Sequence, residues 1–253
     1  MVVVNDQLRH RVERAHERVQ DSVERAQERV ETVVADVKPR LRGWLHLVNV
    51  PLTLAAGIVL IVLSPTAPTR VGSAVYAGSA LLLFTISAIY HRGTWSPRLH
   101  GFWKRFDHAN IFLLIAGSYT PFSMLLLQGR DRTVMLTVVW VGAILGMLFR
   151  IFWTNAPRWL YVGLYLALGW AAIAFFPGFV EGASGLGVGI GTAVLVLVAV
   201  GGLLYTLGGL VYGLKRPNPW PRWFGFHEVF HSFTILAFAA HYVGVSLATY
   251  SLR

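Results

Sequence analysis

The sequence predicts an all-α polytopic membrane protein, a bundle of seven transmembrane helices preceded by a cytoplasmic amphipathic helix. Three observations carry that expectation. Of 253 residues, 55% are hydrophobic and only 13% charged, about half the charged share of an ordinary soluble domain. Seven stretches reach or approach the roughly 20 apolar residues that a helix needs to cross a hydrocarbon core of about 30 Å. Eight of the twelve acidic residues lie in the first forty positions, leaving only Asp107, Asp131, Glu181 and Glu228 beyond them. Composition therefore divides the chain into a charged helix, residues 1–40, and a membrane domain, residues 41–253.

The first segment repeats at eleven residues: Val12-Glu13-Arg14-Ala15, then Glu17-Arg18-Val19, returns as Val23-Glu24-Arg25-Ala26, then Glu28-Arg29-Val30. Eleven residues make three turns at about 3.67 residues per turn, so Val12, Ala15, Val19, Val23, Ala26 and Val30 form one narrow, nearly straight stripe. Such a helix can lie on a lipid surface, self-associate through a right-handed seam, or extend as a solvated juxtamembrane rod. Its eight basic and eight acidic residues give it no net attraction to anionic lipid. Pro39 ends it. The segment also lacks an early apolar run with a small-residue cleavage site, so no removed secretory signal is expected.

The spans are expected at residues 44–64, 72–91, 108–128, 133–153, 159–176, 188–213 and 225–248. The fifth is the shortest and is expected to stop at Pro177. Turn and charge signals separate the spans, as in Ser64-Pro65-Thr66-Ala67-Pro68 and Arg216-Pro217-Asn218-Pro219. From Lys38 onward, the amino-terminal flank and the even-numbered loops hold twelve Lys and Arg, and the opposite side holds four. That bias predicts a multi-pass protein of the cell (inner) membrane, amino terminus cytoplasmic and carboxyl terminus outside. A formal charge of +10 and a pI near 10.4 would suggest nucleic acid for a soluble chain. Here the basic residues stand singly between apolar runs, so lipid headgroups are their expected neighbours and nucleic acid is not an expected partner. Gly201, Gly202, Gly208 and Gly209 of the sixth span permit close helix contact, within the bundle or between subunits.

Without cysteine there is neither a disulfide framework nor a thiolate site, and any transition metal must be held by histidine and carboxylate. Ionisable residues within membrane helices are functional candidates, and here they gather at the predicted cytoplasmic ends: His46, His91, Asp107, His108, His227, Glu228 and His231. His227 and His231 stand one helical turn apart and can aim two imidazoles at one ion. The run His227-Glu228-Val229-Phe230-His231 has the H-E-x-x-H form of zinc metalloproteases. No acidic residue follows Glu228 to serve as their downstream ligand, and His241 comes ten residues after His231, about 15 Å along a helix. His241 therefore reads as a histidine hydrogen-bonded within the bundle.

The third ligand must come from upstream, and His91 is the best placed. Ser87, one turn earlier, shares its face and can bring a hydroxyl to the site. Three neutral imidazoles leave the fourth tetrahedral position to water, the arrangement of a catalytic Zn2+, which lowers that water's pKa to about 7. Iron or manganese would suit the same donors. Asp107 is placed to accept a hydrogen bond from the water and act as general base; the alternative is a salt bridge with Arg105 or another loop cation.

These residues resemble those of the hemolysin III family, the bacterial branch of the progestin and adipoQ receptor superfamily, over about residues 38–253. Ser87-x-x-x-His91 resembles the family's second-helix motif. Phe106-Asp107-His108-Ala109-Asn110-Ile111-Phe112 with Ala116-Gly117-Ser118-Tyr119-Thr120-Pro121-Phe122 resembles its third helix, and His227-x-x-x-His231 its seventh. The resemblance implies seven helices, amino terminus inside, with zinc on His91, His227 and His231 and Asp107 contacting the metal-bound water. In the wider superfamily, which includes the alkaline ceramidases, the same constellation is associated with hydrolysis of lipid amides. One motif departs: the receptors' E-x-x-N-x-x-x-H falls on Pro39, Arg42 and His46, so only its histidine is retained.

Three functions follow as expectations. The first is a zinc-dependent hydrolase of a lipid amide or ester, its substrate entering from the bilayer, with Asp107 and Ser87 as catalytic residues. The second is the pore-forming cytolysin that the family name suggests, although polar residues clustered at one end do not make a pore lining. The third is a zinc-containing sensor of membrane lipid that binds without turnover.

Overall fold

The computed structural model describes residues 14–16, 19–20, 22–23 and 39–253. The described part of the amino-terminal segment is helical and exposed, and most of the expected helix over residues 1–40 lies outside the described residues. From residue 44 onward the protein is a bundle of seven helical spans long and apolar enough to cross a membrane. They are α1 (Trp44–Leu63), α2 (Ala67–Arg92), α3 (Pro97–Leu126), α4 (Gly129–Phe152), a broken fifth span, α7 (Val188–Leu214) and α8 (Phe226–Tyr250). The fifth span consists of α5 (Arg158–Gly169), a 3-10 turn (Ala171–Phe175) and α6 (Phe176–Ser184).

Two boundaries correct the sequence expectations. Helix α3 begins at Pro97, eleven residues before the expected start. Counting apolar residues misses this stub because His100, Lys104 and Arg105 interrupt it, yet Pro97 stands in the first turn behind Ser96, where a missing N–H costs nothing. Asp107 and His108 accordingly sit about three turns into α3, and only residues 93–96 separate α2 from α3. The fifth span continues past Pro177 to Ser184. Pro177 opens α6 instead of closing α5, again at a position that has no helical N–H to lose.

The break before α6 is held by one hydroxyl. Tyr119 Oη on α3 donates to the carbonyl of Gly169 and accepts the N–H of Ala172 at 3.1 Å. Backbone groups freed inside a membrane must be satisfied within the protein, and Tyr119 does so on both sides of the break.

Helix α3 is the most buried span and touches α2, α4, the fifth span and α8. Helix α1 packs on α2 and α8, with its outer face (Val48, Leu52, Ile58, Val62) exposed to hydrocarbon. The core between α1, α2 and α8 is a dense layer of Leu60, Tyr76, Phe84 and Phe238, in which the Tyr76 hydroxyl donates to the Phe238 carbonyl at 2.7 Å. Two glycines of α7 are used inside the bundle: a Cβ on Gly201 would fall 2.2 Å from the His241 ring and one on Gly208 3.0 Å from Phe233, both on α8, whereas one on Gly202 would meet nothing within 4 Å.

Candidate metal centre

At one end of the bundle α2 and α8 bring three buried imidazoles together. One ring nitrogen each from His91, His227 and His231 lies within 4.8 Å of the others. His91 comes from the last turn of α2, and His227 and His231 from successive turns of α8. The Nε2 atoms of His91 and His227 are 3.1 Å apart. Two nitrogens at about 2.0–2.1 Å from one tetrahedral ion stand roughly 3.3–3.4 Å apart, so this spacing fits a shared cation with little adjustment. An N–H···N bond would engage only one pair of the three; a cation engages all of them. Three buried histidines can thus hold a metal ion, and their nitrogen donors suit zinc, iron or manganese alike.

Asp107 stands beside this cluster. It is 9% exposed, with Oδ2 3.8 Å from His91 Nε2 and 3.8 Å from His108 Nδ1. Arg105, one of the cations expected there, does not pair with it: its Nε donates to Thr154 Oγ1 at 2.9 Å. The Ser87 side chain lies close to Asp107, and its buried hydroxyl falls short of hydrogen-bond geometry with any described residue.

His108, adjacent to Asp107, is already spent. Its Nδ1 is 2.7 Å from the Lys104 carbonyl, and its Nε2 is 2.9 Å from the Tyr212 hydroxyl. A carbonyl only accepts, so the proton is on Nδ1 and Nε2 accepts from Tyr212. This leaves His108 no lone pair for a metal. His241 hydrogen-bonds within the bundle through Nε2, 3.2 Å from the Val198 carbonyl, as the sequence suggested.

The cluster forms one end of a cavity of about 400 Å³ whose wall includes His46, Ser87, Asp107, His227 and His231. Away from these residues the wall is largely apolar, as at Leu83, Ile111, Ile115 and Leu166. Trp170, Ile173, Phe176 and Leu203 line it and are also exposed on the outer surface. The cavity therefore opens sideways between the broken fifth span and α7, where Trp170 Nε1 donates to Thr206 Oγ1 at 3.2 Å.

The profile of the family described as "Haemolysin-III related" matches residues 35–242. The chain belongs to this family. It is similar to Hemolysin-3 of Bacillus cereus, 30% identical over 75% of this chain and 82% of that protein. It is also similar to the Hemolysin-3 homolog of Bacillus subtilis, 30% identical over 77% of this chain and 86% of that protein. More distantly, it resembles the Adiponectin receptor protein of Drosophila melanogaster, 28% identical over 68% of this chain and 41% of that protein.

Within this haemolysin-III-related chain, the structure adds two contributions to the centre: a role for His46, which the sequence placed at this end without assigning one, and a residue the sequence did not single out. His46, on the first turn of α1, stacks on His231 with centroids 3.8 Å apart and planes 14° from parallel, and so fixes the plane of that ring. Gly43 allows the approach: its φ of 82° is left-handed, and a Cβ there would fall 2.7 Å from His91 Cβ.

The second is Arg42, at the position where the receptor motif departs. Its Nε pairs with Oε1 of Glu228, which is fully buried, and Oε2 of Glu228 accepts the N–H of Gly225 at 2.8 Å. Glu228 therefore anchors the first turn of α8 and ties it to the amino-terminal flank. Both its carboxylate oxygens are thus engaged by Arg42 and Gly225. Removing one partner of a buried ion pair typically costs about 3–5 kcal/mol. Because Arg42 keeps some solvent access, Arg42→Gln is expected near the lower end, as a reduced midpoint of thermal unfolding in detergent. An unchanged midpoint would show that the pair does not stabilise the bundle.

Proposed function

We propose that this membrane protein is a zinc-dependent hydrolase of lipid amide or ester bonds, with His91, His227 and His231 as ligands and Asp107 and Ser87 as catalytic residues. The observation that supports this best is the position of the three imidazoles and the Asp107 carboxylate at the end of an apolar cavity that opens toward the bilayer. Zinc held there supplies a Lewis acid for a carbonyl and for water. The apolar wall holds an acyl chain and keeps bulk water from the reacting bond. Asp107, 3.8 Å from His91 Nε2, takes the proton released by the attacking water and returns it to the departing amine or alcohol. The unengaged Ser87 hydroxyl donates to the carboxylate or to the carbonyl oxygen and orients it. The excess of Lys and Arg at this end of the bundle is the pattern of cytoplasmic loops.

The relatives named as receptors and as hemolysins leave the chemistry open, so the test is turnover itself. Zinc-loaded protein in lipid nanodiscs, given N-acyl and ester lipids, is expected to release free fatty acid, to stop on chelation and to resume on zinc resupply. Protein that keeps its metal yet releases no fatty acid from either class would overturn the hydrolase in favour of a lipid sensor.

A further inference from the structure

A second polar site lies in the same cavity, away from the three imidazoles. His241 Nδ1 and the Tyr205 hydroxyl are buried and have no hydrogen-bond partner among the described residues. Both residues line the cavity, and their rings pack edge to face with centroids 5.6 Å apart. His241 follows His231 by ten residues on α8, which places it about 15 Å farther along the helix.

The protonation of His241 follows from its neighbour. Nε2 is 3.2 Å from the Val198 carbonyl; a carbonyl only accepts, so Nε2 carries the hydrogen and Nδ1 presents a bare lone pair. Tyr205 presents an O–H. Gly201 leaves room for the imidazole, since a Cβ there would fall 2.2 Å from it, and the Phe122 ring packs against it nearly at right angles, centroids 5.6 Å apart. The site is therefore built to hold one acceptor and one donor within apolar surroundings.

Unmet polar groups in a desolvated wall are costly, and a plain hydrocarbon chain filling the cavity would leave both unmet. A carbonyl would satisfy Tyr205 alone. A hydroxyl satisfies both, donating to His241 Nδ1 and accepting from Tyr205. We propose that His241 and Tyr205 form a hydroxyl-recognition site, and that the lipid this cavity takes carries a mid-chain hydroxyl roughly 15 Å from its metal-side polar group. This deepens the lipid-hydrolase reading and rests on the cavity being the lipid site.

The test compares 12-hydroxyoctadecanoic acid with octadecanoic acid, both binding to the full-length, zinc-loaded protein in detergent. One or two net hydrogen bonds predict a preference of about two- to tenfold or more for the hydroxy acid. Tyr205→Phe and His241→Leu are each expected to shrink that preference while leaving octadecanoic acid affinity and zinc content unchanged. Tyr205→Phe removes a single oxygen, so it decides the matter even if His241→Leu fails to fold. Equal affinity of wild type for the two acids would overturn the hydroxyl site, with water meeting its polar groups, and leave the lipid cavity standing. A preference that survives Tyr205→Phe would also overturn it. Failure of both acids to bind would overturn the lipid cavity and this proposal together.

Discussion

His91→Ala is expected to strip the metal from the purified protein as completely as His227→Ala, although the two residues are 136 positions apart. Elemental mass spectrometry on detergent-purified wild type is expected to find about one zinc per chain, the stoichiometry of a single mononuclear site. The loss in the variants should be large, because disturbing even an outer partner of a metal ligand commonly costs 10–100-fold in affinity and these substitutions delete a ligand. His108→Ala makes the discriminating control. That ring is buried beside Asp107 but has given both nitrogens to Lys104 and Tyr212, so its variant should keep the ion. Wild type that stays metal-free after zinc resupply, or metal retained by His91→Ala, would show that the cluster is not a shared site. The same spectra identify the element, separating zinc from the iron or manganese that imidazole donors also accept.

The fold was legible because a bilayer imposes its own rule. A span must be about 20 apolar residues long and satisfy its backbone internally, so α1, α2, α4, α7 and α8 lie within a few residues of where apolar length places them. The misplaced boundaries are those where apolar length is a poor guide. The stub of α3 before Asp107 is amphipathic, and the fifth span is interrupted by a break whose repair comes from Tyr119, about 50 residues earlier in the sequence. The centre divides in the same way. His227 and His231 are visible as a pair through helical spacing alone. His91 is reached through topology, because only its place at the end of α2 selects it. What no spacing reveals is how the remaining polar groups are shared out: His108 to a carbonyl and a tyrosine, Glu228 to Arg42 and Gly225, and His46 to the face of His231. Each of these joins elements or functional groups that periodicity does not relate, and each determines which neighbour stays available for chemistry.

Asp107→Asn is expected to lower lipid hydrolysis by about 10²–10⁴-fold, the range typical of losing a general acid-base group, while zinc content and thermal midpoint stay near those of wild type. The separation of the two effects is the point of the substitution. Asparagine keeps the size and shape of aspartate at a site that is 9% exposed, so it leaves the packing of α3 against α2 intact. Asp107 is also not one of the three clustered imidazole donors, so the ion does not depend on it directly. The amide can no longer take up a proton, and it also exchanges the negative charge and one acceptor oxygen for a neutral N–H donor. A group that merely neutralised protonated His91 or His108 would behave differently, because its loss would act on stability or on metal retention before it acted on rate. Ser87→Ala provides the internal scale: a hydroxyl that orients a neighbour through one hydrogen bond is worth about 0.5–1.5 kcal/mol, so its loss should cost no more than about tenfold. Full turnover by Asp107→Asn on a lipid that wild type hydrolyses would remove Asp107 from the chemistry. Loss of zinc in step with loss of turnover would recast it as a support for His91, 3.8 Å away, and the proton would then have to be carried by another group at the cavity's metal end.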